Sequence, residues 1–90
     1  MNVILYFTAD WCNPCQRTKP FAEELIREGA NIKFIDADSE IQMVKNFKVL
    51  SIPTYIVLRN GEEVHRSNGA KTRQQLEELI VYEKDIQDDI

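Results

Sequence analysis

The sequence predicts an α/β fold in which four strands form one mixed sheet packed against three helices, in the order βαβαββα. Short runs of β-branched, aromatic and other apolar residues alternate with stretches whose apolar residues recur at helical spacing. Strand, helix and strand at the start of the chain favour a parallel pair joined by a right-handed crossover. Asn60-Gly61 separates the last two strand-like runs, which is typical of an antiparallel hairpin.

Length and charge limit the possible functions. The 90 residues suit one small domain, predicted to span residues 1–90. The net charge of −4, with Asp85, Asp88 and Asp89 near the C-terminus, argues against nucleic-acid binding and against attraction to anionic membranes. No apolar run approaches the length of a bilayer span, and the N-terminus lacks the features of a signal peptide. We therefore expect a cytoplasmic protein. We also expect it to be a monomer.

The first half of the chain predicts two strands, one on each side of a long helix. Residues 3–7 are wholly apolar, as expected of a central strand covered on both faces. A helix is predicted over about residues 13–28, where apolar residues recur at helical spacing until Gly29 provides a stop. The second strand is predicted at residues 31–36.

A short helix is predicted to follow the second strand. Either Asp38 or Ser39 is expected to cap it, because both side chains can accept a hydrogen bond from the free N–H groups of a first turn. The helix is expected to reach about Asn46.

The second half predicts a hairpin followed by a helix. The hairpin strands are predicted at residues 49–58 and 62–66, joined by the two-residue turn at Asn60-Gly61. Thr72 to Gln75 fits a capping box that opens the last helix. The core face of that helix is expected to include Leu76, Leu79, Ile80 and Tyr82, and an acidic, frayed end is expected beyond Glu83.

Cys12 and Cys15, the only cysteines, lie between the first predicted strand and the first predicted helix. Residues three apart at the start of a helix share one face, with Cα atoms roughly 5 to 6 Å apart, so a disulfide can close without backbone movement. A structural zinc needs about four ligands, and His65 is the only other cysteine or histidine in the chain. A redox site is therefore favoured over a structural bridge or a shared metal site.

The positions of Cys12 and Cys15 at the helix start predict that their thiols differ in acidity. Cys12 lies just outside the first turn, where unpaired N–H groups and the positive end of the helix dipole favour a thiolate. Cys-x-x-Cys motifs can lower a thiol pKa from about 8.5 to between about 3.5 and 7.5. Cys15 lies one turn deeper, so Cys12 is the predicted nucleophile and Cys15 the resolving thiol. Pro14 suits the first turn because it has no N–H to leave unpaired.

The sequence resembles the thioredoxin family from the first strand to the last helix. The resemblance implies a thioredoxin-like fold and a thiol–disulfide oxidoreductase acting on disulfide-containing proteins. The residues that carry it are Trp11-Cys12-x-Pro14-Cys15, Pro20, Ile35-Asp36, Ile52-Pro53-Thr54, Asn60-Gly61-Glu62 and Gly69-Ala70.

The resemblance also implies a substrate groove and a source of electrons. A cis peptide bond is expected before Pro53, beside the disulfide. No glycine fingerprint for a nucleotide follows a strand, so we expect no bound cofactor and a separate reductase, such as a thioredoxin reductase, that restores the Cys12 and Cys15 thiols. The groove residues implied are Trp11, Asn13, Pro14, Ile52, Pro53, Gly69 and Ala70.

Several positions depart from the family pattern. Asn13 stands where thioredoxins usually have glycine. The alignment places Tyr6 at the family's buried aspartate, Ile32 at that aspartate's lysine partner and Thr8 at a second aromatic residue. The chain begins where the family's second strand would begin, which implies a four-stranded, minimal form.

Two other functions remain open. The short form would also suit a glutathione-coupled, glutaredoxin-like oxidoreductase, although Asn68-Gly69-Ala70 stands where that family uses a Gly-Gly-Asp-type turn for glutathione. The fold could instead serve as a non-catalytic subunit of a larger complex.

Overall fold

A computed structural model of the protein describes residues 2–84. Within this range, no helix has the length and apolar character needed to cross a membrane. The acidic end predicted after Glu83 lies, apart from Lys84, outside the described residues. The strands are β1 (Val3–Thr8), β2 (Ile32–Asp36), β3 (Thr54–Arg59) and β4 (Glu62–Asn68), and the helices are α1 (Asn13–Arg27), α2 (Ile41–Asn46) and α3 (Arg73–Lys84).

The four strands form one mixed sheet in the order β2-β1-β3-β4, which confirms the predicted fold and the central place of β1. Strand β1 runs parallel to β2 and antiparallel to β3, and β3 pairs antiparallel with β4. The carboxyl end of β1 therefore leads directly into the Cys12 motif.

The core lies on both faces of the sheet because successive side chains of β1 point to opposite sides. Ile4 and Tyr6 pack with residues of α1 and α3, whereas Leu5 and Phe7 pack toward α2. Buried residues on the first face also include Ala22, Leu25, Leu76 and Leu79, and those on the second include Ile35, Val49 and Ile56.

The turn between β3 and β4 has the predicted geometry. Arg59 lies opposite Glu62, so the loop consists of two residues. Asn60 and Gly61 have φ angles of 55° and 83°, and a type I′ turn requires two positive φ angles. This confirms the hairpin.

The predicted bounds of the hairpin strands were wrong. Residues 49–53 do not belong to β3, because Pro53 has no N–H to donate to a ladder and pairing with β1 starts at Thr54, opposite Phe7. Strand β4 continues two residues beyond Arg66, to Asn68. The added residues are polar and give no strand-like apolar pattern in the sequence. They belong to β4 because their backbone pairs with β3.

Helix α1 ends as predicted, but the predicted cap of α2 was wrong. Gly29, with a φ angle of 106°, follows the last turn of α1. Helix α2 begins after Glu40 and has no side-chain cap. Asp38 and Ser39 instead form the preceding turn, where the Asp38 N–H donates to the Asp36 carboxylate at 2.9 Å and the Ser39 N–H donates to the Asp36 carbonyl at 3.2 Å.

Helix α3 begins with the predicted capping box. The Gln75 N–H donates to the Thr72 hydroxyl at 3.2 Å, and the Thr72 N–H donates to the Gln75 side-chain oxygen at 2.9 Å. The expectation that Tyr82 joins the core was wrong: it is 42% exposed and stacks on His65, with ring centroids 4.0 Å apart. His65 is consequently half-buried and not a free surface residue.

Replacing the cap residue of α3 should lower stability without touching the cysteines. We expect Thr72→Ala to reduce the free energy of unfolding by about 1 kcal/mol, because the Gln75 N–H loses its acceptor. Urea titration followed by circular dichroism would measure the change. Thr72→Ser keeps the hydroxyl and serves as the control, and equal stability of the two variants would contradict the cap.

Candidate active site

Cys12 and Cys15 form a disulfide at the N-terminus of α1, as the sequence predicts. Their Cα atoms are 5.2 Å apart. Cys12 is the cap residue, with extended φ and ψ angles of −89° and 104°, and α1 begins at the next residue, Asn13. Pro14 occupies the first turn, where a missing N–H costs no helical hydrogen bond.

The two sulfurs have different surroundings. The Cys15 N–H donates to Cys12 Sγ at 3.3 Å, so a free donor of the first turn points at that sulfur. Cys12 retains 4% exposure, whereas Cys15 is completely buried. A hydrogen bond from the backbone and the positive end of the helix dipole both favour the thiolate of Cys12 once the disulfide is reduced.

The segment before β3 lies against the disulfide. The Ile52–Pro53 peptide bond is cis, as the family resemblance implies. The Ile52 carbonyl oxygen lies 3.8 Å from Cys12 Sγ, and Ile52 packs with Ala9 and both cysteines. The Gly69 N–H donates to the Pro53 carbonyl at 3.0 Å, which brings the turn after β4 to the same place. The fold thus assembles three of the predicted groove residues next to Cys12.

The other predicted groove residues lie around this centre. Trp11 is 66% exposed, so its ring forms surface beside Cys12 and is not packed as part of the core. The indole N–H of Trp11 donates to the Asp38 carboxylate at 2.8 Å, which fixes the ring. Asn13 and Ala70 are exposed, and Pro14 is half-buried.

One neighbouring residue was missed from the sequence. Leu50 is 96% exposed although it is apolar, because the run that contains it is a loop and not part of a strand. The available sequence signal was the Pro53 that follows this run, because proline cannot donate to a strand ladder. A shallow depression of about 390 Å³ lies beside this residue, and it is lined by Trp11, Ala37, Val44, Val49, Leu50, Ser51 and Ile52.

Three of the departures from the family pattern, Tyr6, Thr8 and Ile32, occupy buried positions. The Tyr6 hydroxyl donates to the Cys15 carbonyl at 2.7 Å. Burial raises the pKa of Tyr6 well above its usual value, with a further contribution from Tyr55, so Tyr6 remains a protonated donor and cannot serve as a base. Thr8 is buried, and within the described part of the chain its hydroxyl has no hydrogen-bond partner.

Among residues 2–84 there is no group of three histidine, cysteine or acidic side chains able to hold a metal ion.

Comparison with known proteins agrees with this geometry. The sequence model of the thioredoxin family matches residues 1–82. The chain belongs to the thioredoxin family. A thioredoxin from Bacillus subtilis is 41% identical over 81 residues, which cover 87% of this chain and 78% of that protein. The structure of a mutant thioredoxin from Halobacterium salinarum superposes with a TM-score of 0.83 at 31% identity, covering 91% of this chain and 74% of that one.

A further relative is the bifunctional thioredoxin reductase/thioredoxin of Mycobacterium leprae. It is 39% identical over 72 residues, which cover 77% of this chain and 16% of that protein. The chain described here belongs to the thioredoxin family and carries the Cys12–Cys15 disulfide. It is therefore a thiol–disulfide oxidoreductase.

Proposed function

We propose that the chain reduces disulfide bonds in partner proteins, with Cys12 as the attacking thiolate and Cys15 as the resolving thiol. The observation that carries this assignment is the hydrogen bond from the Cys15 N–H to Cys12 Sγ. It marks Cys12 as the sulfur whose negative charge the helix start favours. The slight exposure of Cys12, next to a fully buried Cys15, supports the same order of attack.

The reaction proceeds in two exchange steps. The Cys12 thiolate attacks one sulfur of the substrate disulfide, forms a mixed disulfide and expels the other substrate sulfur as a thiolate. The Cys15 thiol gives its proton to water or to the substrate thiolate expelled in the first step. The resulting Cys15 thiolate attacks the Cys12 sulfur, which breaks the mixed disulfide and releases the second substrate thiolate. Two electrons pass to the substrate, and the protein is left with the Cys12–Cys15 disulfide.

The substrate lies in the groove beside Cys12. The cis Ile52–Pro53 segment presents its backbone there, and an extended stretch of substrate can pair with that backbone. Trp11 and Leu50 offer apolar surface next to it. The full groove comprises Trp11, Asn13, Pro14, Ile52, Pro53, Gly69 and Ala70, extended on one side by Leu50.

Turnover of a protein disulfide tests the function. Catalytic amounts of the chain should accelerate the reduction of insulin by dithiothreitol, followed as precipitation of the freed insulin chain. The Cys12→Ser/Cys15→Ser double variant is the control. A rate equal to that of the control would overturn the proposal and favour the non-catalytic subunit instead.

Leu50 should contribute to binding of the protein substrate and not to the chemistry. Burying about half of a leucine side chain is worth roughly 1 to 1.5 kcal/mol, so we expect Leu50→Ser to raise KM for insulin by about fivefold to tenfold at unchanged kcat. Val81→Ser removes an exposed apolar side chain on α3 and is the matched control. An unchanged KM in Leu50→Ser would exclude the depression from substrate binding.

Recycling requires a separate electron donor. We propose that the protein binds no cofactor and that a thioredoxin reductase reduces the Cys12–Cys15 disulfide. We also propose that the chain acts in the cytoplasm and as a monomer. The Mycobacterium leprae relative, whose name joins the two activities in one protein, supports this pairing. Turnover with NADPH and thioredoxin reductase should exceed turnover with glutathione and glutathione reductase, and the reverse order would favour the glutaredoxin-like alternative.

A further inference from the structure

Three buried hydroxyl groups meet beneath the N-terminal half of α1. They belong to Tyr6 of β1, Tyr55 of β3 and Thr18 of α1, and each of these residues is completely buried. Tyr6 and Tyr55 face each other across the paired strands, with ring centroids 4.8 Å apart in an edge-on arrangement. We call these three residues the hydroxyl cluster.

One end of the cluster holds the turn of α1 that carries the resolving cysteine. The Tyr6 hydroxyl donates to the Cys15 carbonyl at 2.7 Å. The Thr18 hydroxyl donates to the Pro14 carbonyl at 3.3 Å. The carbonyl groups of Pro14 and Cys15 thus both accept a hydrogen bond from a hydroxyl on the buried side of the helix.

The other end holds the turn after β4, which forms part of the groove. The Tyr55 hydroxyl donates to the Gly69 carbonyl at 2.9 Å, and the Lys71 N–H donates to the Thr18 hydroxyl at 2.8 Å. The Gly69 N–H in turn donates to the Pro53 carbonyl at 3.0 Å. A chain of hydrogen bonds and ring contacts therefore runs from Cys15 to the backbone beside Cys12.

The tyrosine hydroxyls of the cluster are donors and not proton carriers. Burial raises the pKa of both Tyr6 and Tyr55 above the usual tyrosine value. Both hydroxyls therefore keep their protons at neutral pH and donate to carbonyl groups of fixed position. Their contribution to the reaction is geometric.

Geometry matters most in the second exchange step. Cys15 must reach the Cys12 sulfur from the side opposite the bond that breaks, while the groove holds the leaving sulfur. A small displacement of one reacting group can cost a large part of the rate. Tyr6 lies where the family resemblance implies a buried aspartate, so this chain has a neutral donor at the site where that acid would act.

We propose that the hydroxyl cluster positions Cys15 for its attack on the mixed disulfide, by fixing the first turns of α1 relative to Pro53 and Gly69. This proposal rests on the two-step reaction proposed above and assigns three positioning residues to its second step. It requires no further reactant, because the cluster neither gains nor loses a proton or an electron.

The test separates the two steps with dithiobis-nitrobenzoate and the reduced protein. Attack by Cys12 releases one nitrothiobenzoate and leaves a mixed disulfide, and attack by Cys15 releases the second. Rapid mixing gives a rate constant for each release. The reagent reports on the two thiols alone, so the test remains valid if turnover of protein disulfides fails.

We expect Tyr6→Phe and Tyr55→Phe each to slow the second release by about fivefold, the loss expected for one hydrogen bond of about 1 kcal/mol, and to leave the first release unchanged. Tyr82→Phe removes an exposed hydroxyl outside the cluster and should change neither rate. Unchanged second release in both cluster variants would overturn the proposal, even if their thermal stability falls.

A pair of substitutions at Thr18 provides an independent check. Thr18→Val removes the hydroxyl at nearly constant volume, and Thr18→Ser retains it. We expect the second release to slow in Thr18→Val and to recover in Thr18→Ser. Equal second rates in the two variants would show that the Thr18 hydroxyl stabilises the fold without positioning Cys15.

Discussion

Cys12→Ser should reduce the turnover of insulin disulfides to the uncatalysed background. A serine hydroxyl keeps its proton at neutral pH even beside the donor N–H of Cys15, so no nucleophile remains at the more accessible position of the pair. Cys15 cannot take over the first step, because it is completely buried beneath the cap. The insulin precipitation assay with dithiothreitol measures the loss.

The comparison needs a folded variant. Serine is an effective cap residue and fits the space of cysteine, so Cys12→Ser should keep the circular dichroism spectrum of the reduced wild-type protein. Val81→Ser, which alters the exposed face of α3, should keep full activity. Turnover above background in Cys12→Ser would assign the attack to another group.

Cys15→Ser should stop the reaction after the first exchange. Cys12 still attacks the substrate disulfide, but no second protein thiol is left to break the mixed disulfide, so one equivalent of substrate remains covalently bound. The adduct can be measured by mass spectrometry or as a shifted band on a non-reducing gel. Dithiothreitol should release it and return both partners to their original masses.

Two controls define the trapped species. The Cys12→Ser/Cys15→Ser double variant should form no adduct, because the attacking sulfur is absent. Wild-type protein should form an adduct only transiently, since Cys15 resolves it. A stable adduct on Cys12→Ser together with none on Cys15→Ser would reverse the roles assigned to the two cysteines.

The features that the sequence predicts well depend on residues close together along the chain. Cys12 caps α1, Asn60-Gly61 forms the two-residue turn, and Thr72 and Gln75 exchange hydrogen bonds at the start of α3. In each case the relevant donors and acceptors lie within three residues of one another. The backbone geometry of a turn or helix start is therefore sufficient to specify the contact.

The features that the sequence predicts poorly depend on how distant segments meet. Residues 49–53 look like a strand because they are mostly apolar, yet Leu50 ends up exposed on a loop beside Cys12. Tyr82 has the spacing of a core residue, but its ring stacks on His65 of β4. The start of pairing with β1 at Thr54 and the stacking of Tyr82 on His65 both depend on contacts between segments distant in sequence, so neither follows from local spacing alone.

The hydroxyl cluster is the clearest example of this limit. Tyr6, Thr18 and Tyr55 belong to three different elements, and each hydroxyl is bound to a backbone group that only the folded chain brings near. The helical spacing of Thr18 from Cys15 and Ala22 is consistent with its place on the buried face of α1. It does not show which carbonyls the hydroxyls reach, and the function proposed for the cluster depends on those carbonyls.

The central claim is that the start of α1 makes Cys12 the reactive sulfur and shields Cys15. Its most direct test is to treat the reduced protein at neutral pH with less than one equivalent of iodoacetamide and to locate the label by peptide mass spectrometry. We predict that the label lies on Cys12 and that Cys12 reacts faster than cysteine in an unstructured peptide. Equal labelling of the two cysteines, or preferential labelling of Cys15, would contradict the account.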